Sequence, residues 1–280
     1  TIREKLDAIP KFKDFMMNTI CALREKYIAV EFVGNGVHVT DSCLPDLHRQ
    51  LVTVCEKLGV KDIPDFSLMW GYDITAATEG AKNPHITSMS GAIDILSEEE
   101  FAFVLGHEIG HQVCGHKPYH LFLESLYMPL INSVPGGEIW VGLVRSTLLN
   151  WYRVSDFTAD RVGLLACGDI NVALSTMIKM SGAPQKYHDS INVDSFIKQA
   201  QEFETMFAGV AGKLINYVSI NTAFSPWLVA RAAKLLEYCK KNHYEICGDY
   251  ICEEIMEMHI FNERKRSMYL RLQVPVKMNK

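Results

Sequence analysis

The chain has no C-x-x-C pair, no long apolar run, no low-complexity linker, no internal repeat and no basic cluster. Each absence excludes something. A membrane-spanning helix needs roughly 18 consecutive apolar residues without charge, and the nearest stretch, 121–134, is shorter and carries Glu124. The opening TIREKLDAIP lacks the apolar centre of a secretory signal, although a start at Thr1 is compatible with a leader removed earlier. A net charge of −5 with no Lys/Arg face gives nucleic acid nothing to bind, and the run Glu263-Arg264-Lys265-Arg266 reads as a solvated helix end. Prenylation and retention signals are missing from the last residues. The cysteines, Cys21, Cys43, Cys55, Cys114, Cys167, Cys239, Cys247 and Cys252, are scattered through a long chain. They read as reduced thiols and not as a disulfide framework, which points to a soluble cytoplasmic protein.

What is present is the composition of an ordinary globular protein, 48% apolar and 22% charged, in 280 residues. That length carries a sizeable core. The expected organisation is one domain over 1–280, with its core at 60–242, a helical part at 1–59 and C-terminal helices at 243–280 packed on it.

Apolar spacing at three and four predicts helices over 1–30, 44–58, 119–133, 138–167, 171–180, 193–211, 226–241 and 249–267. Gly59 and Gly168 stop two of them. Gly34-Asn35-Gly36 between apolar runs predicts a tight turn or short hairpin. Residues 66–70 and 84–89 read as strands, 76–83 as a loop and 92–96 as an apolar connector. The fold class is therefore α+β, mostly helical, with a small sheet early in the chain.

The informative stretch is LGHEIGHQVCG, residues 105–115. It contains an H-E-x-x-H, His107-Glu108-Ile109-Gly110-His111. Residues four apart share a helix face, so His107 and His111 can hold one metal ion, and Glu108 beside them can take a proton from water activated by that metal. With 10 His in 280 residues the motif arises by chance roughly 0.04 times per chain. It needs a helix beneath it and a third ligand to carry weight. The helix is signalled by Ser97-Glu98-Glu99-Glu100, where Ser97 caps, Glu100 completes a capping box and the acids suit the helix dipole. For the third ligand, Asp156 and Asp160 lie four apart on an otherwise apolar helix. A metal and a histidine N–H would offset the burial of two such acids.

These stretches carry a resemblance. SMSGAIDILSEEEFAFVLGHEIGHQVCGH from Ser88 onward, the run from Arg153 to Gly163 and the run from Ser225 to Arg231 resemble, in order, the motifs of the HtpX / CAAX-prenyl-protease-like family of gluzincin zinc metallopeptidases. The resemblance implies a zincin-like fold and one Zn2+ held by His107, His111 and Asp156. Glu108 is implied as general base and later proton donor, and Asp160 as the acceptor that orients a ligand histidine. Arg231 is implied as a catalytic-site arginine that holds the oxyanion or the helix packing. Two positions depart from the pattern. Asp156 replaces a glutamate longer by one C–C bond, about 1.5 Å, and Ser225 replaces a histidine. The implied activity is zinc-dependent cleavage of peptide or protein substrates by an endopeptidase; the alternative is a catalytically weak zincin that binds peptides. Substrate is expected to lie along an exposed strand edge. The expected edge is 84–89, which makes His85, Ile86, Thr87 and Ser88 the substrate-binding residues. His116 and His120 could form a second metal site but read as surface or packing residues; Trp140, Trp151 and Tyr152 read as packing.

Overall fold

The structure, a computed structural model, describes residues 2–125, 137–206 and 226–241. The expected helices at 249–267 and beyond 206 in the 193–211 pattern, the Pro135-Gly136 break, Ser225, Cys247 and Cys252 lie outside the described residues.

The N-terminal helices are α1 (Ile2–Asp7), α2 (Phe12–Phe15) and α3 (Ala22–Asn35), with a π-helical segment Met16–Cys21 leading into α3. α3 runs through Gly34 and Asn35, and β1 (Gly36–His38) leaves it directly. The hairpin expected at Gly34-Asn35-Gly36 is therefore not formed: β1 pairs antiparallel with β2 (Asp65–Met69), across the intervening α4 (Pro45–Lys57). Gly59, at φ 68°, ends the turn after α4 as its sequence position required.

The sheet is completed by β3 (Ala76–Glu79) and β4 (His85–Met89), in the order β1-β2-β4-β3. β4 runs parallel to β2, with Asp65 opposite His85, and antiparallel to β3, with Ala76 opposite Ser88. Two sequence expectations are corrected here. Residues 76–79, read as loop, form a strand, because pairing with β4 overrides the weak strand preference of Ala-Ala-Thr-Glu. The strand at 84–89 is not an edge but is hydrogen-bonded on both sides, with Ile86, Thr87 and Ser88 buried. The edge strands of the described sheet are β1 and β3.

The connector at 92–96 is a short helix, α5 (Ser90–Ile95), and leads into the motif helix α6 (Glu98–Val113). The capping box forms as the sequence indicated. Ser97 Oγ accepts from the Glu100 N–H at 3.3 Å, and Glu100 Oε2 accepts from the Ser97 N–H at 2.9 Å. The remaining helices are α7 (Lys117–Ser125), α8 (Gly137–Cys167), α9 (Ile170–Met180), α10 (Val193–Met206) and α11 (Leu228–Lys241). Gly168 at φ 82° ends α8, where Lys57 also donates to the Ala166 carbonyl at 2.8 Å. The main core lies between the sheet, α4, α6, α9 and the C-terminal end of α8, around Phe66, Ile86, Leu105, Ile109, Leu164 and Leu174. No helix among the described residues is long and apolar enough to cross a membrane.

Glu100 does more than cap. Its carboxylate also accepts from Lys179 Nζ and Ser175 Oγ, each at 2.7 Å, and so ties α9 to the start of the motif helix. Burial alone would raise this carboxyl's pKa; the bonds from Lys179, Ser97 and Ser175 outweigh it and hold the group below its ordinary value of 4.5. A depressed folded-state pKa stabilises the fold above the ordinary value, and the contribution is lost as pH falls through the folded value. Lys179→Met leaves the carboxylate buried and short of its counter-charge, so it should cost about 3–5 kcal/mol in urea unfolding at neutral pH. The difference between variant and parent should shrink below pH 4.5.

Candidate metal centre

α6 and α8 cross with almost nothing between their backbones. A Cβ on Gly106 would lie 2.3 Å from Ala166 Cβ and 3.0 Å from Gly163 Cα; one on Gly110 would lie 3.1 Å from Ala159 Cα. This small-residue seam brings the motif histidines against the face of α8 that carries Asp156 and Asp160. With the helices this close, the Asp156 carboxylate comes within 3.5 Å of His111 Nε2.

His107, Glu108, His111 and Asp156 are all buried. His111 Nε2 lies 3.0 Å from His107 Nε2 and 3.5 Å from Asp156 Oδ1. Ligand atoms of the three residues lie within 4.8 Å of one another, and this is the one His/Cys/Asp/Glu group among the described residues with that geometry. Two donors bound to zinc at its usual distances and a tetrahedral angle stand about 3.3 Å apart. The spacing fits. So does the chemistry, because three buried lone-pair groups facing one another are unfavourable unless a cation lies between them. Burial first, then the neighbouring His107, holds the His111 pKa well below 6.5, which favours the neutral form that ligates metal.

Both histidines are held from behind. His107 Nδ1 lies 2.9 Å from Asp160 Oδ1. With Nδ1–H donating there, Nε2 is left bare on the metal side. Asp160 is in turn clamped by Arg231 from α11, whose Nε donates to Oδ2 at 2.9 Å and whose Nη2 donates to Oδ1. Burial alone would raise the Asp160 pKa, but the Arg231 charge and the bonds from His107 and Arg231 pull it down to about 2. Arg231 therefore gives two donors to Asp160 and stands behind His107, with Nη2 3.2 Å from its Nδ1.

His111 Nδ1 lies 3.1 Å from His116 Nδ1. If Nε2 of His111 faces the metal, its Nδ1–H donates and His116 accepts. Gly115, at φ 64°, makes this possible by turning the chain back so that the His116 N–H bonds the His111 carbonyl at 3.0 Å. The His116 ring sits edge-on to Trp151 at 5.6 Å. His120 stacks on Tyr152 at 3.8 Å and lies 2.9 Å from Ser155 Oγ through Nε2. Neither histidine is on the surface, and His116 also braces the His111 ring. The spacing of five from His111 was the signal available for His116; its meaning depended on the turn at Gly115.

Sequence reasoning missed Thr78. Its backbone N–H donates to Glu108 Oε2 at 2.6 Å, and its hydroxyl donates to the Glu108 carbonyl at 3.0 Å. The β3 edge of the sheet is thus tied to the motif helix beside the carboxylate. A cleft of about 460 Å³ opens there, lined by Thr75, Ala76 and Ala77 together with His107, Glu108 and Tyr152. The substrate-binding expectation for His85, Ile86, Thr87 and Ser88 is corrected accordingly. The last three are buried inside the sheet, and His85 faces a separate recess with Glu25 and Asn83.

Comparison with known proteins gives the family. The pattern of Peptidase family M48 matches residues 44–238. The chain is similar to the plastoglobule-localized metallopeptidase 48, chloroplastic, of Arabidopsis thaliana, with 28% identity over 243 residues, covering 86% of this chain and 70% of that protein. No solved structure matches. With the family pattern spanning more than half of the sequence and enclosing both metal-facing helices, the chain belongs to peptidase family M48.

Proposed function

We propose that the protein is a zinc-dependent endopeptidase that cuts peptide or protein substrates lying along β3. The observation that carries this reading is the convergence of His107 Nε2, His111 Nε2 and Asp156 Oδ1 beside a glutamate anchored to an open strand edge. Those three residues would hold one Zn2+. When bound, the ion supplies Lewis acidity, which acidifies water and polarises a carbonyl.

The chain's own groups do the rest. Glu108 keeps Oε2 on the Thr78 N–H, leaving Oε1 to take a proton from the attacking water and deliver it to the departing amide nitrogen. Asp160, backed by Arg231, and His116 fix the two histidine rings. The N–H and C=O of one strand residue point the same way. Since the Thr78 N–H points at Glu108, the Thr78 carbonyl and both backbone groups of Ala76 face away from β4, where an extended peptide can pair with them.

The test is digestion of casein with zinc-loaded protein and its Glu108→Gln variant. The variant should be slower by about 10²–10⁴-fold, and a chelator should stop the parent. Zinc bound near one per chain without Glu108-dependent cleavage would instead favour the peptide-binding alternative. We place the protein in a reducing compartment, because the described cysteines are free thiols. The cytoplasm is the reading from sequence; the relative's name, which puts that protein in the chloroplast, gives the other. Imaging a tagged full-length protein separates them.

A further inference from the structure

We propose that Lys117 recognises a substrate carboxylate, so that cleavage favours an acidic side chain at one position on the Lys117 side of the cut bond. This rests on the peptidase reading above. The other charged or chargeable groups of the cleft already have a task. His107, His111 and Asp156 face one another as ligands, Glu108 is the base, and Arg231 gives Nε and Nη2 to Asp160. His120 lies 2.9 Å from Ser155 Oγ, and burial, then the Lys117 charge, keeps it neutral. Lys117 is different. It is half-buried, lines the cleft past His111, and makes no hydrogen bond or ion pair with any other described residue.

Its place in the chain sharpens the point. Lys117 opens α7, at the end where aligned peptide dipoles leave partial positive charge, and the first turn contains no acid. The motif helix α6 carries three glutamates at the same place. A lysine there is unfavourable, and its charge also opposes protonation of His111 and His120. No neighbour offsets it. Glu124, the acid of α7, lies two turns on without an ion pair to Lys117, and burial first, then Glu79, pushes its carboxyl toward the neutral form. Glu79 is itself paired with Arg24 at 3.5 Å. A residue that breaks a local preference with no compensation inside the chain marks a place where the compensation comes from outside. The missing partner is an anion, and on a peptide the anion is a carboxylate. A half-buried ammonium holds one better than an exposed lysine does, because water and salt screen it less. A chain extended along β3 and running on past the cleft brings side chains here and not its terminus. Lys117 directly follows His116, which lies against the His111 ring, so the recognised side chain stands within a few residues of the cut.

The test is to digest a proteome-derived peptide mixture with the zinc-loaded full-length protein, discard sites also cut by Glu108→Gln, and align the remaining cuts. Asp and Glu should be enriched about three- to tenfold over Asn and Gln at one position on one side of the cut. Lys117→Met should level that position, and Lys117→Glu should turn its preference to Lys and Arg. Both substitutions remove a positive charge from a helix N-terminus, so neither works against the fold. A flat profile in the parent, or an acid preference that survives Lys117→Met, would overturn the proposal and leave the peptidase reading standing. Cuts at a fixed distance from the chain end that C-terminal amidation abolishes would overturn the side chain as the source of the carboxylate. If nothing is cut, the peptidase reading fails and binding decides. In calorimetric titration of zinc-loaded Glu108→Gln with end-blocked Ala/Gly peptides carrying a central Glu or Gln, the Glu peptide should bind about three- to tenfold tighter. That difference should vanish when Lys117→Met is added, and equal affinities before it is added would overturn the proposal.

Discussion

Asp160→Ala should destabilise the protein by about 3–5 kcal/mol and weaken zinc binding by about 10–100-fold, through two separable effects. The stability loss comes from Arg231. Its guanidinium is buried, and Asp160 supplies its counter-charge through bonds to Nε and Nη2. Removing the carboxylate leaves a cation in the interior without its bonded counter-charge. The affinity loss comes from His107, whose Nδ1 loses the acceptor that fixes ring and tautomer. A second substitution separates the effects. Asp160→Ala with Arg231→Met removes the stranded charge and replaces it by an apolar chain of similar length, so much of the stability should return, while zinc affinity should stay low because His107 still lacks its acceptor. Urea unfolding of the metal-free protein gives the first quantity, and competition with a chromophoric chelator gives the second. Equal recovery of both in the double variant would mean that Asp160 serves only to neutralise Arg231.

This division also shows what the sequence could and could not convey. The spacing of Asp156 and Asp160 put two acids on one helix face, and the family resemblance implied which would be the ligand and which the orienting group. Nothing local indicated that Arg231, 71 residues on, closes the Asp160 carboxylate from behind with two donors. The motif helix was legible because its signals are local: a capping box within four residues and histidines one turn apart. The sheet was less so. Residues 76–79 form a strand because β4 offers them partners, and their own side chains barely favour it. Strand 84–89 was recognisable as a strand but not as an interior one, since alternation of side chains says nothing about how many neighbours a strand has. Misplacing the edge then misplaced the substrate residues and hid Thr78, whose role depends on a pairing that sequence spacing does not encode. His116 was hidden for a similar reason, because the left-handed turn at Gly115 carries it back beneath His111.

The seam between α6 and α8 yields the other large effect. Gly106→Ala places a methyl 2.3 Å from Ala166 Cβ and 3.0 Å from Gly163 Cα, distances that only a shift of the helices can relieve. Overpacking of this kind costs about 1–3 kcal/mol. Its larger consequence should fall on the metal centre, because the short Asp156 side chain reaches the histidines only while α8 lies close. Gly106→Ala should therefore lose zinc affinity well beyond its loss of stability. Gly110→Ala, whose Cβ would meet Val162 Cβ at 3.0 Å and Ala159 Cα at 3.1 Å, should show a milder form of the same defect. The reach argument also predicts a rescue. Asp156→Glu adds one C–C bond, about 1.5 Å; in the parent it crowds a site already closed, but in Gly106→Ala it should restore part of the lost affinity without restoring stability. Chelator competition on the four proteins, parent, each single variant and the double, gives the coupling between the two positions. Zinc affinities that simply add across the cycle would mean that helix spacing does not control the ligand. A double variant that binds tighter than Gly106→Ala alone would tie the choice of aspartate at 156 to the glycine at 106.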